Sequence, residues 1–124
     1  MRTLEQQMAS EIYSQVAGLK GDKQKATEYG SMAHKLPVLI RQAGLVQALA
    51  YVEARGKPGA KQLLSDLAAV LGEKSSENLL AHTRDADLLE YMDLTRRATV
   101  ALTWYKRFAQ SVLGVDPTDE GAAS

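Results

Sequence analysis

Apolar residues recur along this chain at intervals of three and four, the period of a helix with one buried face. Leu4, Met8, Ile12, Val16 and Leu19 share such a face, with Thr3 and Gln6 in a capping-box pattern before it and Gly18 and Gly21 after it. Asp22 is positioned to cap a second helix that puts Tyr29, Met32, Ala33 and Leu36 on one side. Pro37 disfavours helical geometry at Leu36, so a kink or restart is predicted there, with Gly44 as the stop of the short piece that follows. Leu45 to Arg55 reads as another helix, with Leu45, Leu49 and Val52 inward and Gly56 as a left-handed stop.

The pattern restarts at Pro58, and Leu63, Leu64, Leu67, Ala68 and Leu71 form a stripe that Gly72 ends. Ser75 or Ser76 caps a segment through Leu79 and Leu80 that can extend to Leu88 and Leu89, unless Asp85 or Asp87 breaks it. Asp93 is the predicted cap of a last helix running to about Leu113 and stopping at Gly114. On a helical wheel Ala98, Ala101, Leu102, Tyr105, Ala109 and Val112 form its core face, with Phe108 at the edge. No alternating β-branched run bounded by turns appears. The expected fold is all-α: a compact bundle of about five to seven helices with a long C-terminal helix. Residues 1–115 are read as one helical domain and 116–124 as an acidic disordered tail.

With 124 residues the chain fits one core. It has no cysteine, which removes disulfides, thiolate metal sites and thiol nucleophiles. The N-terminal MRTLEQQMAS has no apolar stretch of the signal-peptide kind, and no apolar run is long enough to span a bilayer. A cytoplasmic protein is expected.

Formal net charge is zero, but it is sorted into blocks. Residues 20–61 hold eight Lys/Arg against three acids, a net of +5; residues 62–93 hold seven acids against two bases, a net of −5. Residues 94–113 carry Arg96, Arg97, Lys106 and Arg107 with no acid. Such polarity favours electrostatic docking or self-association.

Catalytic signatures are missing. His34 and His82 stand alone, without metal-ligand spacing, so no metal or cofactor is expected. There is no nucleophile elbow, and Gly56-Lys57-Pro58-Gly59 is a turn rather than a phosphate cradle. Asp85, Asp87, Glu90 and Asp93 drift around a helix surface and read as a solvated acidic face more readily than as a two-metal cluster. On the last helix Val100 and Trp104 lie off the core stripe, toward Arg97. Trp104 reads either as part of a wide core or as an interface anchor. Arg96 and Arg107 are separated by ~16 Å along the axis, a span that suits two phosphates or two solvated cations.

Three segments carry a family resemblance. The opening Thr3-Leu4-Glu5-Gln6 with Ala9 is the first. The second is Tyr29-x-x-Met32-Ala33-x-Lys35-Leu36-Pro37-x-Leu39-Ile40-x-x-x-Gly44-Leu45-x-Gln47-Ala48-Leu49-Ala50-Tyr51. The third is Arg97-Ala98-Thr99 through Leu102-x-Trp104-Tyr105-Lys106-Arg107-Phe108-Ala109. Together they resemble the small-subunit family of the type III-B CRISPR effector, the Cmr complex. Thr95 departs from that pattern, which has an aromatic there.

The resemblance implies a non-catalytic, all-helical subunit of an RNA-guided, RNA-targeting ribonucleoprotein of antiviral defence. It implies stacking of several copies into an inner filament beside the backbone and large subunits, along the groove that holds CRISPR RNA and target RNA. Lys35, Arg41, Arg96, Arg97, Lys106 and Arg107 are then the residues expected to meet RNA phosphates or neighbouring subunits, with Val100 and Trp104 as interface positions. A second reading, from the residues alone, is a free-standing helical adaptor that binds a partner helix through Val100 and Trp104 without RNA.

Overall fold

A computed structural model describes residues 1–118 of the chain. Six helices make up the described residues: α1 (Leu4–Ala17), α2 (Lys23–Ala43), α3 (Leu45–Arg55), α4 (Pro58–Val70), α5 (Ser76–Asp85) and α6 (Leu88–Ser111). Side-chain caps close four helix starts, three of them at the residues the sequence indicates. Thr3 and Gln6 form a reciprocal capping box, Asp22 accepts from the Lys25 amide, Ser75 from Asn78 and Asp87 from Glu90.

The other two helices have no cap of their own and borrow one. Gly44 joins α2 to α3 with φ of 88°, a conformation that favours glycine. The orphan amide of Val46 donates to the Tyr91 hydroxyl of α6 at 3.1 Å. At the start of α4 the Gly59 amide donates to the Glu28 carboxylate of α2 at 2.8 Å. Glu28 is buried, and this bond is what its burial requires.

α2 and α6 run antiparallel through the centre. Tyr29 of α2 meets Tyr105 of α6 edge to face at 6.1 Å, while the α2–α3 corner meets Tyr91. α1 lies alongside α6 and parallel to it: Gln15 accepts from the Tyr105 hydroxyl at 2.6 Å and Tyr13 packs edge-on to Phe108 at 5.4 Å. After α6 the chain folds back over α2. Val115 is buried against Gly30, where an added Cβ would lie 2.7 Å from the valine Cβ, and the Val115 carbonyl accepts from His34 Nε2 at 2.9 Å.

The structure corrects five local expectations. Pro37 neither kinks nor restarts the chain, because α2 continues through it. An internal proline costs ~3 kcal/mol, but Leu36, Pro37 and Ile40 are all buried, and burial of each large side chain offsets ~1.5–3 kcal/mol. Gly56 ends α3 with extended geometry (φ −70°, ψ 144°), not a left-handed stop. Leu4 is 83 % exposed although it shares the stripe of Ile12 and Val16, since α1 starts before the core does. Leu88 and Leu89 are exposed and belong to α6, not α5. Asp93 is not the cap of the last helix: Asp87 caps it, and Asp93 sits inside the helix, pairing with Arg96 and Arg97. Of the expected disordered tail, residues 119–124 lie outside the described residues.

At Gly59 a Cβ would lie 2.4 Å from the Lys25 carbonyl oxygen and 2.9 Å from the Tyr29 amide nitrogen, both main-chain atoms that cannot step aside. Helix propensity alone makes Gly→Ala favourable by ~1 kcal/mol. Gly59→Ala is expected instead to destabilise by about 1–3 kcal/mol through overpacking of α2 on α4, measured by urea unfolding.

His82 provides a pH signature. Its Nδ1 meets Glu73 at 2.8 Å and its Nε2 meets Glu90 at 3.1 Å, so both nitrogens donate at once only in the protonated ring. The hydrogen bond to Glu73, helped by Glu90, holds the imidazolium above the usual histidine range. A raised folded-state pKa gives stability that is complete below the ordinary value near 6.5 and is lost as pH rises through the folded value. Thermal stability of the native chain is therefore expected to decline across that interval. His82→Gln should flatten the decline, as followed by circular dichroism melts from acid to mildly alkaline pH.

Candidate functional site

The charged and aromatic residues singled out in the sequence fall into separate places. Arg107 is exposed and its guanidinium lies over the Trp104 ring at 5.8 Å. Trp104 is half-buried and stacks on Phe108 at 5.7 Å, and Phe108 in turn meets Tyr13 of α1. Trp104 is thus neither wholly core nor a free anchor; it is one member of a surface cluster of three rings, with Lys106 half-buried and near it in sequence.

Arg96 and Arg97 lie farther toward the start of α6. Both are held by Asp93, at 2.7 and 3.0 Å, which keeps the aspartate below the usual carboxylate range. Arg97 also reaches the Leu71 carbonyl at 3.4 Å. With Val100 they line a groove of about 490 Å³ between α1 and α6, with Met8 and Val70 among its apolar residues. Lys35 is elsewhere, half-buried on the α2–α3 side, with its ammonium 3.4 Å from the Tyr51 hydroxyl and over its ring. Arg41 is exposed in the last turn of α2. Four of the six cations have a neighbour of their own: Tyr51 for Lys35, Asp93 for Arg96 and Arg97, and Trp104 for Arg107.

The two ends of the bundle differ in character. At the start of α2, Lys23 and Lys57 flank a shallow groove of about 430 Å³ with Gln24, Thr27 and Glu28. At the opposite end, beyond the α2–α3 corner, Leu88, Leu89 and Met92 project from the first turns of α6 with exposures of 71, 78 and 57 %. Asp85, Asp87 and Glu90 surround this apolar ridge in sequence and are exposed. The length of α2, 21 residues, separates the ends by ~30 Å.

Three carboxylates of this end are individually engaged: Asp87 caps α6, Glu90 bonds His82 and Asp93 holds two arginines. Glu73 and Glu90 approach opposite nitrogens of His82, a bridging geometry rather than ligands converging on one point. Among the described residues no group of three or more His, Asp or Glu side chains is arranged to hold a metal ion. No helix among them is long and apolar enough to cross a membrane.

Sequence reasoning missed Tyr13, which follows the core residue Ile12 and so turns ~100° away from the stripe, and it did not separate Leu88 and Leu89 from the core. The signal for both was available: each is apolar but off the buried phase of its own helix.

Comparison with known proteins gives this architecture a family. The family described as CRISPR-associated protein (Cas_Cmr5) matches residues 4–112. A CRISPR system Cmr subunit Cmr5 from Thermus thermophilus is 48 % identical over 114 residues, covering 91 % of this chain and 98 % of that protein. The crystal structure of a CRISPR-associated Cmr5 family protein, also from Thermus thermophilus, superposes with a TM-score of 0.84 at 44 % identity, covering 93 % of this chain and all of that one. The match takes in all six helices, from the first residue of α1 to the end of α6, and on that breadth the chain belongs to the Cmr5 family, the small subunit of the type III-B CRISPR Cmr complex.

Proposed function

We propose that this chain is a non-catalytic small subunit that stacks with copies of itself into an inner filament of a cytoplasmic Cmr ribonucleoprotein and there helps to hold CRISPR RNA and its target. The observation that carries the RNA part is the second half of α6. Arg107 lies over Trp104, which stacks on Phe108, Lys106 precedes Arg107 on the same helix, and residues 94–113 contain no acid. Lys and Arg contacts to phosphate are independent of sequence and sensitive to salt. That suits a subunit that tracks a duplex whose sequence changes with every guide. Lys35 and Arg41 extend the same role from α2, outside the α6 cluster.

Stacking is supported by the unlike ends. Head-to-tail association needs two different complementary patches on one molecule. A lysine-flanked groove at one end and an apolar ridge set among carboxylates at the other, ~30 Å apart along α2, meet that need. In this arrangement the ridge of one copy sits against the groove of the next, burying Leu88, Leu89 and Met92 and bringing Asp85 and Asp87 to Lys23 and Lys57.

Two measurements test these parts separately. Lys106→Glu with Arg107→Glu is expected to leave the isolated protein folded and to weaken target-RNA binding by the reconstituted complex. The slope of log affinity against log salt should shrink by about 1 for each lost phosphate contact. Unchanged RNA binding together with unchanged incorporation of the subunit would sink the RNA reading. For stacking, Leu88→Glu with Met92→Glu should reduce the number of copies per complex, counted by native mass spectrometry. A full complement in that variant and in Lys23→Glu with Lys57→Glu rules out the proposed end-to-end contact.

A further inference from the structure

The groove between α1 and α6 is distinct from the aromatic cluster and from both ends of the bundle. Its apolar part is Met8 of α1, Val70 at the end of α4 and Val100 of α6, with Leu4 projecting at the rim. Its two sides carry opposite charge: Glu5 and Glu11 on α1, Arg96 and Arg97 on α6. The acids of the groove lie on the α1 side and its two arginines on the α6 side. From Leu4 to Glu11 the groove follows α1 for about two helical turns, or ~10 Å.

We infer that this groove receives one amphipathic helix from a different protein subunit of the complex. The inference rests on the reading of the chain as a subunit held among others and adds the site and chemistry of one such contact.

Three features select this occupant. The first concerns the backbone. Both sides of the groove are helices, whose backbone bonds run within each helix past the first turn of α1, so they offer no ladder to an extended peptide. A guest must satisfy its own main chain, as a helix does, and pack side chains between the ridges of α1 and α6. The second concerns RNA. A phosphate backbone in this groove would lie over apolar side chains and against Glu5 and Glu11. The third concerns a second copy. The exposed apolar ridge that this chain itself could offer, at Leu88, Leu89 and Met92, has acids at 85, 87, 90 and 93 and no base between them. Its carboxylates would suit α6 but would be repelled by α1.

The complementary guest is therefore a helix with apolar residues at i, i+3 or i+4 and i+7. Carboxylates line its flank toward Arg96 and Arg97, and Lys or Arg line its flank toward Glu5 and Glu11. Such a contact also explains why Leu4 stands 83 % exposed at the start of an otherwise core-directed stripe. In the assembly it has a partner.

The experiment uses the full chain in the reconstituted complex, with a photo-crosslinking phenylalanine analogue placed at Val100 or at Leu4. The expected result is crosslinking to one segment of another protein subunit with the stated pattern. Crosslinks only to RNA, only to a second copy, or none above background would each overturn the inference. Incorporation is scored in the same samples and for the unsubstituted chain: a substituted chain that enters the complex but gives no crosslink sinks the groove alone, whereas an unsubstituted chain that never enters sinks the subunit reading with it. As a second arm, Val100→Glu and Leu4→Glu are expected to lower incorporation at least tenfold while leaving the far-ultraviolet circular dichroism and melting temperature of the isolated protein unchanged. Wild-type incorporation in both variants counts against the site.

Discussion

Two tyrosine hydroxyls buried at the meeting point of four helices constrain the whole molecule. Tyr29 and Tyr105 have essentially no solvent exposure, and burial pushes both hydroxyls far above the usual tyrosine range, so each stays protonated and must donate. Tyr29 donates to the Asp66 carboxylate at 2.6 Å and Tyr105 to the Gln15 carbonyl oxygen at 2.6 Å. Gln15 returns through its amide to the Asp66 main-chain carbonyl, and Gln62 donates to the other carboxylate oxygen of Asp66. The residues come from α1, α2, α4 and α6. A donor left unpaired here costs ~1–3 kcal/mol, so these helices can sit in one relative register and few others.

That register also sets the surfaces to which the proposed contacts are assigned. The Gln15–Tyr105 bond lays α1 parallel to α6, which sets Glu5 and Glu11 against Arg96 and Arg97 along the groove. The contact of Tyr29 with Tyr105, and that of Tyr91 with the α2–α3 corner, fix α2 and α6 as antiparallel. Antiparallel placement in turn puts the start of α2 and the start of α6 at opposite ends. The lysines of the basic block and the carboxylates of the acidic block that sit at those two starts thereby become opposite poles of the molecule.

Most of the architecture is legible in the chain because its determinants are local. Thr3, Asp22 and Ser75 cap by bonding amides three residues away, and the stripes of α4 and α6 declare their buried faces by period. Several misreadings share a cause, which is contact beyond the local segment. Pro37 is held helical by the core around it. Asp87 prevails over Asp93 as the cap because Asp93 is drawn to two arginines on its own helix. Leu88 and Leu89 read as apolar and hence buried, but no described element covers them. Among candidate site residues, the sequence singled out the α6 cations and Val100 as candidates but could not tell that Arg96 and Arg97 share one aspartate, or that Lys35 rests on Tyr51 away from the rest. Nor could it bring Tyr13, near the opposite end of the chain, to Phe108.

A formal charge of zero argues at first against contact with RNA, yet the folded chain distributes its charges unequally between interior tasks and solvent. Asp66 anchors the tyrosine network, Glu28 caps α4, Asp22 and Asp87 cap α2 and α6, and Glu73 and Glu90 hold His82. These acids keep their charge, but their positions are fixed by amides, hydroxyls and an imidazole rather than by lysines or arginines. The ion pairs between Arg and carboxylate in the described residues are confined to Asp93. Arg41 and Arg107 remain in solvent, and the neighbours of Arg107 on α6 include no acid. A phosphate approaching the end of that helix meets Arg107 with no acid among its helix neighbours, and charges farther away than the Debye length of ~8 Å are largely screened from it. Net charge therefore understates the local field, and it is the local field that an RNA backbone senses.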